Sequence, residues 1–516
     1  MKELTRRELL TRASIGAAGA ILSEKLAFGA HTSPASSDPS SSSARKMNVL
    51  FLIVDDLRPQ FPCFGAKNMV TPYIDRLAAE AVVFRGNYCQ QAVCSPSRTS
   101  LLTGCRPDTT RVYDLKKFFR DNIPDVVTLP EQFKRNGYFA EAVGKVFHED
   151  LNDPASWSIP AVFDTSAEEL EQYQSPESYR EEAERLHQIP SHGLVYGPAT
   201  ESVDAPDDNY LDGRIAVEAI RRLKILGAKR LDTPFFLAVG FHKPHLPFVA
   251  PKKYWDLYDP AQITLPDYRE KPKGAPDLAM TNFDELRHYY GIPWDKEPLP
   301  DALSRHLIHG YYAGVSFTDA QIGRVLAALE EQDLAENTIV ILCVDHGWHL
   351  DDHGLWCKHT NFEHATHIPL IIHVPGATPG ISDSLTENVD IYPTLCELAG
   401  VPLPDHLEGT SFVPLFHDPS RRWKSASFSQ YPRGRDIMGY TMRTDRYRYT
   451  RWMRRPDHTV PWINTSSHTL VAEELYDYQS DPDESTNWAT DAAHADVLRS
   501  LRAQSTAGWP AAKPVA

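Results

Sequence analysis

The segment from Met47 to Val54, Met-Asn-Val-Leu-Phe-Leu-Ile-Val, is almost unbroken in apolar and β-branched residues. A run of that kind is covered on both faces, as a strand inside a parallel sheet is. It stops abruptly at Asp55-Asp56. The same order recurs twice further along. Ile215 to Leu226 has the spacing of an amphipathic helix, and past Asp232-Thr233-Pro234 comes the apolar run Phe235 to Gly240, which stops at Phe241-His242-Lys243-Pro244-His245. Asp319 to Glu331 reads as a second such helix, followed by a strand from Thr338 to Val344 and then Asp345-His346-Gly347. Helix, strand, polar cluster is the rhythm of an α/β sheet, whose ligands gather outside the carboxyl ends of the strands. Three strands are therefore predicted to bring charged residues to one rim.

The remaining segments are plainer. Ala167 to His187 is rich in glutamate and reads as an exposed helix, and Pro369 to Val374 as a strand. Proline, glycine and short polar pieces from Val401 to Pro414 suggest a boundary, giving a main domain over 46–405 and a smaller one over 406–516. Within the latter, Gly439 to Arg451 alternates Tyr with Arg and Thr, as antiparallel strands with one wet face do, and a final helix follows Asp481-Pro482-Asp483-Glu484.

With 516 residues, 42% of them hydrophobic, the chain can bury a large core. Its formal charge of -16 argues against general nucleic-acid binding, which needs clustered cations to displace counterions, while leaving room for a local basic pocket. One basic segment exists: arginines 433, 435, 443, 446, 448, 451, 454 and 455 stand against Asp436 and Asp445. It is either a wall for an anionic glycan or the outer face of a sheet with long side chains lying along it. At the other end, Thr5-Arg6-Arg7-Glu8-Leu9-Leu10, the weakly apolar Ala13 to Leu22 and the small residues of Ala27-Phe28-Gly29 have the features of a twin-arginine leader over 1–30. A Ser-rich linker over 31–45 follows. The apolar stretch is too short for a lasting membrane anchor, so the expectation is export to the periplasm or beyond.

The candidate chemistry centres on Cys94-Ser95-Pro96-Ser97-Arg98-Thr99-Ser100-Leu101-Leu102-Thr103-Gly104. A lone cysteine is ordinarily an inert buried thiol. Here a proline fixes the turn, an arginine is spaced to reach the same place, and the continuation suits a helix start. The other six cysteines are scattered without a CxxC pair. Asp55 and Asp56 at one strand tip and Asp345 and His346 at another offer mostly hard oxygen ligands, suited to Ca²⁺ or Mg²⁺.

The Cys-x-Pro-x-Arg run resembles the signature of type I sulfatases, in which a maturation enzyme oxidises the cysteine to formylglycine. Further blocks follow in the family's order over most of residues 47 to 400: Val-Asp-Asp at Asp56, Gly-Lys-Val-Phe-His at 144–148, His-Lys-Pro-His at 242–245, Asp-His-Gly-Trp at 345–348 and Leu-Trp-Cys-Lys-His at 355–359. Asp345-His346, where many sulfatases have Asp-Asn, makes the chain similar to the iduronate-2-sulfatase-like branch. The resemblance implies an alkaline-phosphatase-like fold, a large mixed mainly parallel sheet flanked by helices, with a smaller C-terminal α+β subdomain carrying an antiparallel sheet. It implies Ca²⁺, with Mg²⁺ as the alternative, on Asp55, Asp56, Asp345, His346 and position 94. By the same resemblance Arg98 would hold the formylglycine hydrate, Lys145 and Lys358 would grip sulfate, His148 would take the proton that lets sulfate leave, and His242 would protonate the departing sugar oxygen. The implied partners are a sulfated sugar and the maturation enzyme. The rival readings are a sulfatase acting on a different sulfated polysaccharide, a phosphoester or phosphonate hydrolase of the same superfamily and a silent glycan-binding protein. Two side readings stand beside these: zinc on some of His349, His353, His359, His364 and His367, and Trp348 stacking on a sugar or simply packing.

Overall fold

Seven strands make the central sheet of the computed structural model: β1 (Asn48–Val54), β2 (Val82–Tyr88), β3 (Phe139–Gly144), β4 (Phe235–Phe241), β5 (Thr338–Val344), β6 (His367–His373) and β7 (Gly380–Glu387). Their order is β7-β2-β6-β5-β1-β4-β3, and only β6 runs against its neighbours. The structure describes residues 46–163, 173–188, 196–228, 233–294, 297–463 and 465–514. The leader expected over 1–30 and the linker over 31–45 lie outside them. So does the first part of the expected 167–187 helix, whose described portion is the helix Pro176–Gln188, exposed over most of residues 176–184.

β1 is buried at every position, as its unbroken apolar run requires. Its side chains alternate between two cores. Leu50, Leu52 and Val54 pack towards helices α2 (Leu211–Ala228) and α3 (Asp301–Glu331), while Val49, Phe51 and Ile53 pack towards α1 (Cys94–Thr103) and α4 (Asn388–Ala399). The register aligns the strand ends: Val54 pairs with Phe241 and with Val344, and Gly144 pairs with Gly240. Asp55, His242, Asp345 and Lys145 therefore leave the sheet at one level.

A second, antiparallel sheet follows in sequence: β8 (Ser427–Arg433), β9 (Ile437–Arg443), β10 (Tyr447–Arg454) and β11 (Thr469–Asp477), with α5 (Ala495–Ala507) packed on it through Leu498 and Leu501. The expected wet face is largely covered, since β9 and β10 carry no exposed residue except Arg454. β8 lies against the segment just beyond β2, the Gln430 amide donating to the Gln90 carbonyl at 2.8 Å. Half of the arginine segment is engaged in ion pairs within and around this sheet. Arg443 pairs with Glu363 at 3.1 Å, Arg446 with Asp477 at 2.6 Å, Arg455 with Asp436 at 3.4 Å and the buried Arg448 with Glu484. Arg433 donates to the Leu278 carbonyl at 2.7 Å, and Arg435, Arg446 and Arg454 are exposed.

Candidate active site

The Asp55–Asp56 turn begins where β1 runs out of partners to pair with. Asp56 adopts a left-handed backbone, φ 57°, and Tyr311 of α3 fixes it, its hydroxyl donating to the Asp56 carbonyl at 2.7 Å and accepting the Arg58 amide at 3.0 Å. The Asp56 amide donates to Asp345 Oδ1 at 3.2 Å, tying the ends of β1 and β5 together. Both aspartates, Asp345 and His346 have no exposed surface.

α1 brings position 94 to this turn. It is a polar helix that is wholly buried, so its side chains need internal partners. Ser97 Oγ donates to the Asp345 carbonyl and Thr103 Oγ1 to the Thr99 carbonyl. The helix ends at Gly104, whose φ of 68° favours glycine. Cys94 Sγ at its start lies 3.5 Å from Asp55 Oδ1 and 3.3 Å from His346 Nε2. Burial, then the Asp55 carboxylate, push this thiol well above its ordinary value.

Ligand atoms of Asp55, Cys94, Asp345 and His346 lie within 4.8 Å of one another, and Asp56 Oδ1 is 3.1 Å from His346 Nδ1. That Asp56 oxygen is buried and accepts no hydrogen bond. Burial pushes the Asp56 carboxyl up to about 8, with the neighbouring Asp55 adding to the effect against Lys358. Three buried carboxylates with an orphaned oxygen among them fit a divalent cation, which would ionise and satisfy them together.

Cations already surround the cluster. Arg98 has no exposed surface; its Nε donates to Asp345 Oδ2 at 2.9 Å, Nη2 lies 3.4 Å from Asp55, and Nη1 donates to the Lys145 and Val146 carbonyls. Lys145 pairs with Asp55, and Lys358 reaches Asp56 Oδ2 at 3.2 Å. Burial alone would raise Asp55, but Lys145 and Arg98 outweigh it and hold the carboxyl well below the usual range. His148 and His242 stand in the field of the same groups. Burial, then Lys145, lower His148 to about 2 and carry His242 well below its ordinary value, so both rings are neutral. His148 Nδ1 and His242 Nε2 are buried without hydrogen-bond partners.

The structure thus brings together all the residues expected from the sequence, and adds others. Asp212, at the start of α2, accepts the His242 and Lys243 amides at 2.9 and 2.7 Å and shapes the His-Lys-Pro-His loop. His245 and Glu285 stand beside Lys358. The five-histidine zinc reading fails among the described residues. His349 bonds Thr360 at 2.8 Å, His353 the Asp483 carbonyl at 2.8 Å, His364 Arg58 at 2.8 Å, and His367 the Arg85 carbonyl at 2.5 Å, while His359 packs on Tyr431. Trp348 does not stack on a sugar, because it is fully buried against Phe248 and His245 with the Lys358 ammonium 4.8 Å from its ring. All seven cysteines are free.

A buried carboxylate cluster beside a grip for anions, at the carboxyl edge of a mainly parallel sheet, defines a hydrolase of the alkaline-phosphatase-like class. The sulfatase family model matches residues 47–401, and the model for the C-terminal part of N-sulphoglucosamine sulphohydrolase matches 351–507. Human iduronate 2-sulfatase is 35% identical over 530 aligned residues, covering 88% of this chain and 93% of that protein. A sulfatase of Formosa agariphila is 31% identical, covering 90% and 88%. The chain belongs to the sulfatase family and is a sulfuric ester hydrolase. Among solved structures, the phosphonate monoester hydrolase of Agrobacterium radiobacter aligns with a TM-score of 0.70 at 23% identity over 90% of this chain and 96% of that one. A 2-O GAG sulfatase aligns at 0.64 and 22% over 90% and 91%. At those identities the likeness is one of fold.

Proposed function

We propose that this sulfatase removes sulfate from a sulfated carbohydrate, most like the 2-O-sulfate of an iduronic acid residue, using formylglycine made from Cys94 and a divalent cation, Ca²⁺ or else Mg²⁺. The observation that carries the reading is the position of Cys94, buried at a helix start within contact of Asp55 and His346 and ringed by Arg98, Lys145 and Lys358. The substrate class is supported by the identity to relatives named iduronate 2-sulfatase across most of both chains.

Asp55, Asp56, Asp345 and His346, with position 94, would hold the cation, which supplies Lewis acidity to a sulfate oxygen and to the nucleophile. Formylglycine supplies, as its hydrate, a hydroxyl able to attack sulfur and a second whose proton can be removed. Arg98 fixes position 94 by bridging the ends of β1, β3 and β5, a task for its rigid fork of donors. Lys145 and Lys358 neutralise sulfate oxygens. His148, neutral and with Nδ1 unpartnered, is the base that takes the second hydroxyl proton. His242 takes up a proton when an anion stands beside it and delivers that proton to the leaving sugar oxygen.

Peptide mapping of the mature protein tests the nucleophile: position 94 is expected to be lighter than cysteine. Cys94→Ala should fold normally and release no sulfate; substantial sulfate release by that variant would remove the proposed mechanism. Chelation should abolish turnover, and Ca²⁺ should restore it better than Mg²⁺. A panel of sulfated mono- and oligosaccharides ranks substrates, with an iduronate 2-O-sulfate expected first. Export through the twin-arginine leader is part of the same reading, and replacing Arg6 and Arg7 with lysine should leave the protein in the cytoplasm. No helix among the described residues is long and apolar enough to cross a membrane.

A further inference from the structure

Lys358 does not face Asp56 alone. Its ammonium lies 2.9 Å from Glu285, a residue far away in sequence on the short helix Asp284–Arg287. Glu285 in turn lies 3.1 Å from His245 Nε2, while His245 Nδ1 stands 2.7 Å from the Leu246 carbonyl, so the ring is held between two oxygens. The spacing of Asp56, His245 and Glu285 would also suit a metal ion, but the ammonium already stands among them as their cation.

The depths of these groups differ in a way that matters. Asp56 is fully buried on the floor of the site, whereas Glu285 and His245 keep 20% and 25% of their side-chain surface and stand towards solvent. Asp56 alone would draw Lys358 down among the floor carboxylates, where its charge would be spent on them and unavailable to a substrate anion. Glu285 pulls from the other side at a shorter distance, and the ring of Trp348 limits sideways movement at 4.8 Å.

We propose that Glu285, steadied by His245, is a positioning residue that holds the Lys358 ammonium between the floor and the mouth of the site, at the height where it meets a sulfate oxygen. The inference rests on Lys358 being a sulfate grip. It predicts that Glu285 acts on binding of the anion through Lys358 and leaves the bond-breaking groups alone.

The test is steady-state kinetics on the full-length, metal-loaded, matured enzyme with a sulfate ester, with inorganic sulfate as inhibitor. Glu285→Gln is expected to raise KM and the sulfate inhibition constant about tenfold together while kcat stays within about threefold. Glu285→Asp, which keeps the charge, should stay close to wild type in all three. In a double-mutant cycle, adding Glu285→Gln to Lys358→Ala should cost almost nothing further. Unchanged KM and sulfate inhibition in Glu285→Gln, or losses that simply add in the double variant, overturn the positioning role. If Lys358→Ala itself binds sulfate normally, the grip assigned to Lys358 falls first and this inference with it. Thermal melts accompany each variant; should Glu285→Gln not fold, His245→Gln reads the same contact from its other side, with a smaller joint rise in KM and sulfate inhibition expected and no rise overturning the role.

Discussion

Arg98 shows how much one side chain can hold. It is a guanidinium without solvent, facing Asp55, Asp345 and the carbonyls of residues 145 and 146, so it joins position 94 to three strand ends. Removing one partner from a buried ionic cluster leaves charge uncompensated, which typically costs about 3–5 kcal/mol. Arg98→Ala should therefore lower the unfolding free energy by about 3 kcal/mol in denaturant titration as well as abolish sulfate release. Arg98→Lys should regain less than half of that stability, because one ammonium cannot span the oxygens that the fork reaches separately. The legible part of the site follows the same logic. Asp55, Asp56, Asp345 and His346 could be read because they interrupt apolar runs, and Cys94 because its neighbours form a compact motif. Glu285 carries no such mark: it sits in a four-residue helix within a long irregular stretch, and only folding brings it to Lys358. Asp212 was hidden similarly, since its role is to bind amides that any loop possesses. Its replacement by asparagine, which keeps one acceptor of the two, should cost about 1–3 kcal/mol by the same titration.

Among elements, β3 and β4 approach each other closely at their carboxyl ends. A Cβ placed on Gly240 would stand 2.0 Å from the Lys145 carbonyl oxygen, and one on Gly144, at φ 78°, 2.1 Å from the Gly240 carbonyl oxygen. The two strands meet without side chains so that Lys145 and His242 emerge side by side, and backbone cannot yield as a side chain would. Gly240→Ala should push Lys145 from Asp55; we expect at least a tenfold loss of kcat/KM and a melting temperature lower by several degrees, read in one thermal scan and one kinetic series. Element-level patterns were readable where burial had a simple geometry. β1, β4 and β5 matched their apolar runs because both faces are covered, and α2 its one-sided spacing. α3 was visible only from Asp319 onwards although it begins at Asp301. From Leu307 to Asp319 it is buried all round, with His309, Gly310, Tyr311 and Gly314 among its residues, so no polar face marks a helical period there. The arginine segment could not be resolved from its own composition, because most of the acidic partners its paired arginines take come from elsewhere: Asp477 of β11, Glu363 and Glu484.

For the whole molecule, burial of titratable groups sets how stability responds to acid, and two kinds of group pull in opposite directions. His349 has no exposed surface, and burial holds its pKa well below the ordinary value, so the folded state keeps it neutral. In the unfolded chain it gains a proton below about pH 6.5. The unfolded state then binds more protons, and stability falls as pH drops through that window, by about 1.4 kcal/mol per pH unit for one group. Asp319 is the reverse case. Burial raises it to about 7, even though its carboxylate accepts the Ile74 amide at 2.7 Å and the Tyr73 amide at 3.3 Å. Between about pH 7 and the unfolded value near 4 the folded state binds the extra proton, so this group adds stability as pH falls, at the same slope. Each contribution can be isolated against wild type. Between pH 6.5 and 5.5, His349→Gln should gain about 1 kcal/mol relative to wild type, whatever its constant offset, because the unfavourable protonation is gone. Asp319→Asn should lose about the same amount over the same interval. Denaturant titrations of the three proteins at the two pH values give both differences. Slopes of the same sign, or no slope in either variant, would show that these two buried groups do not set the acid response.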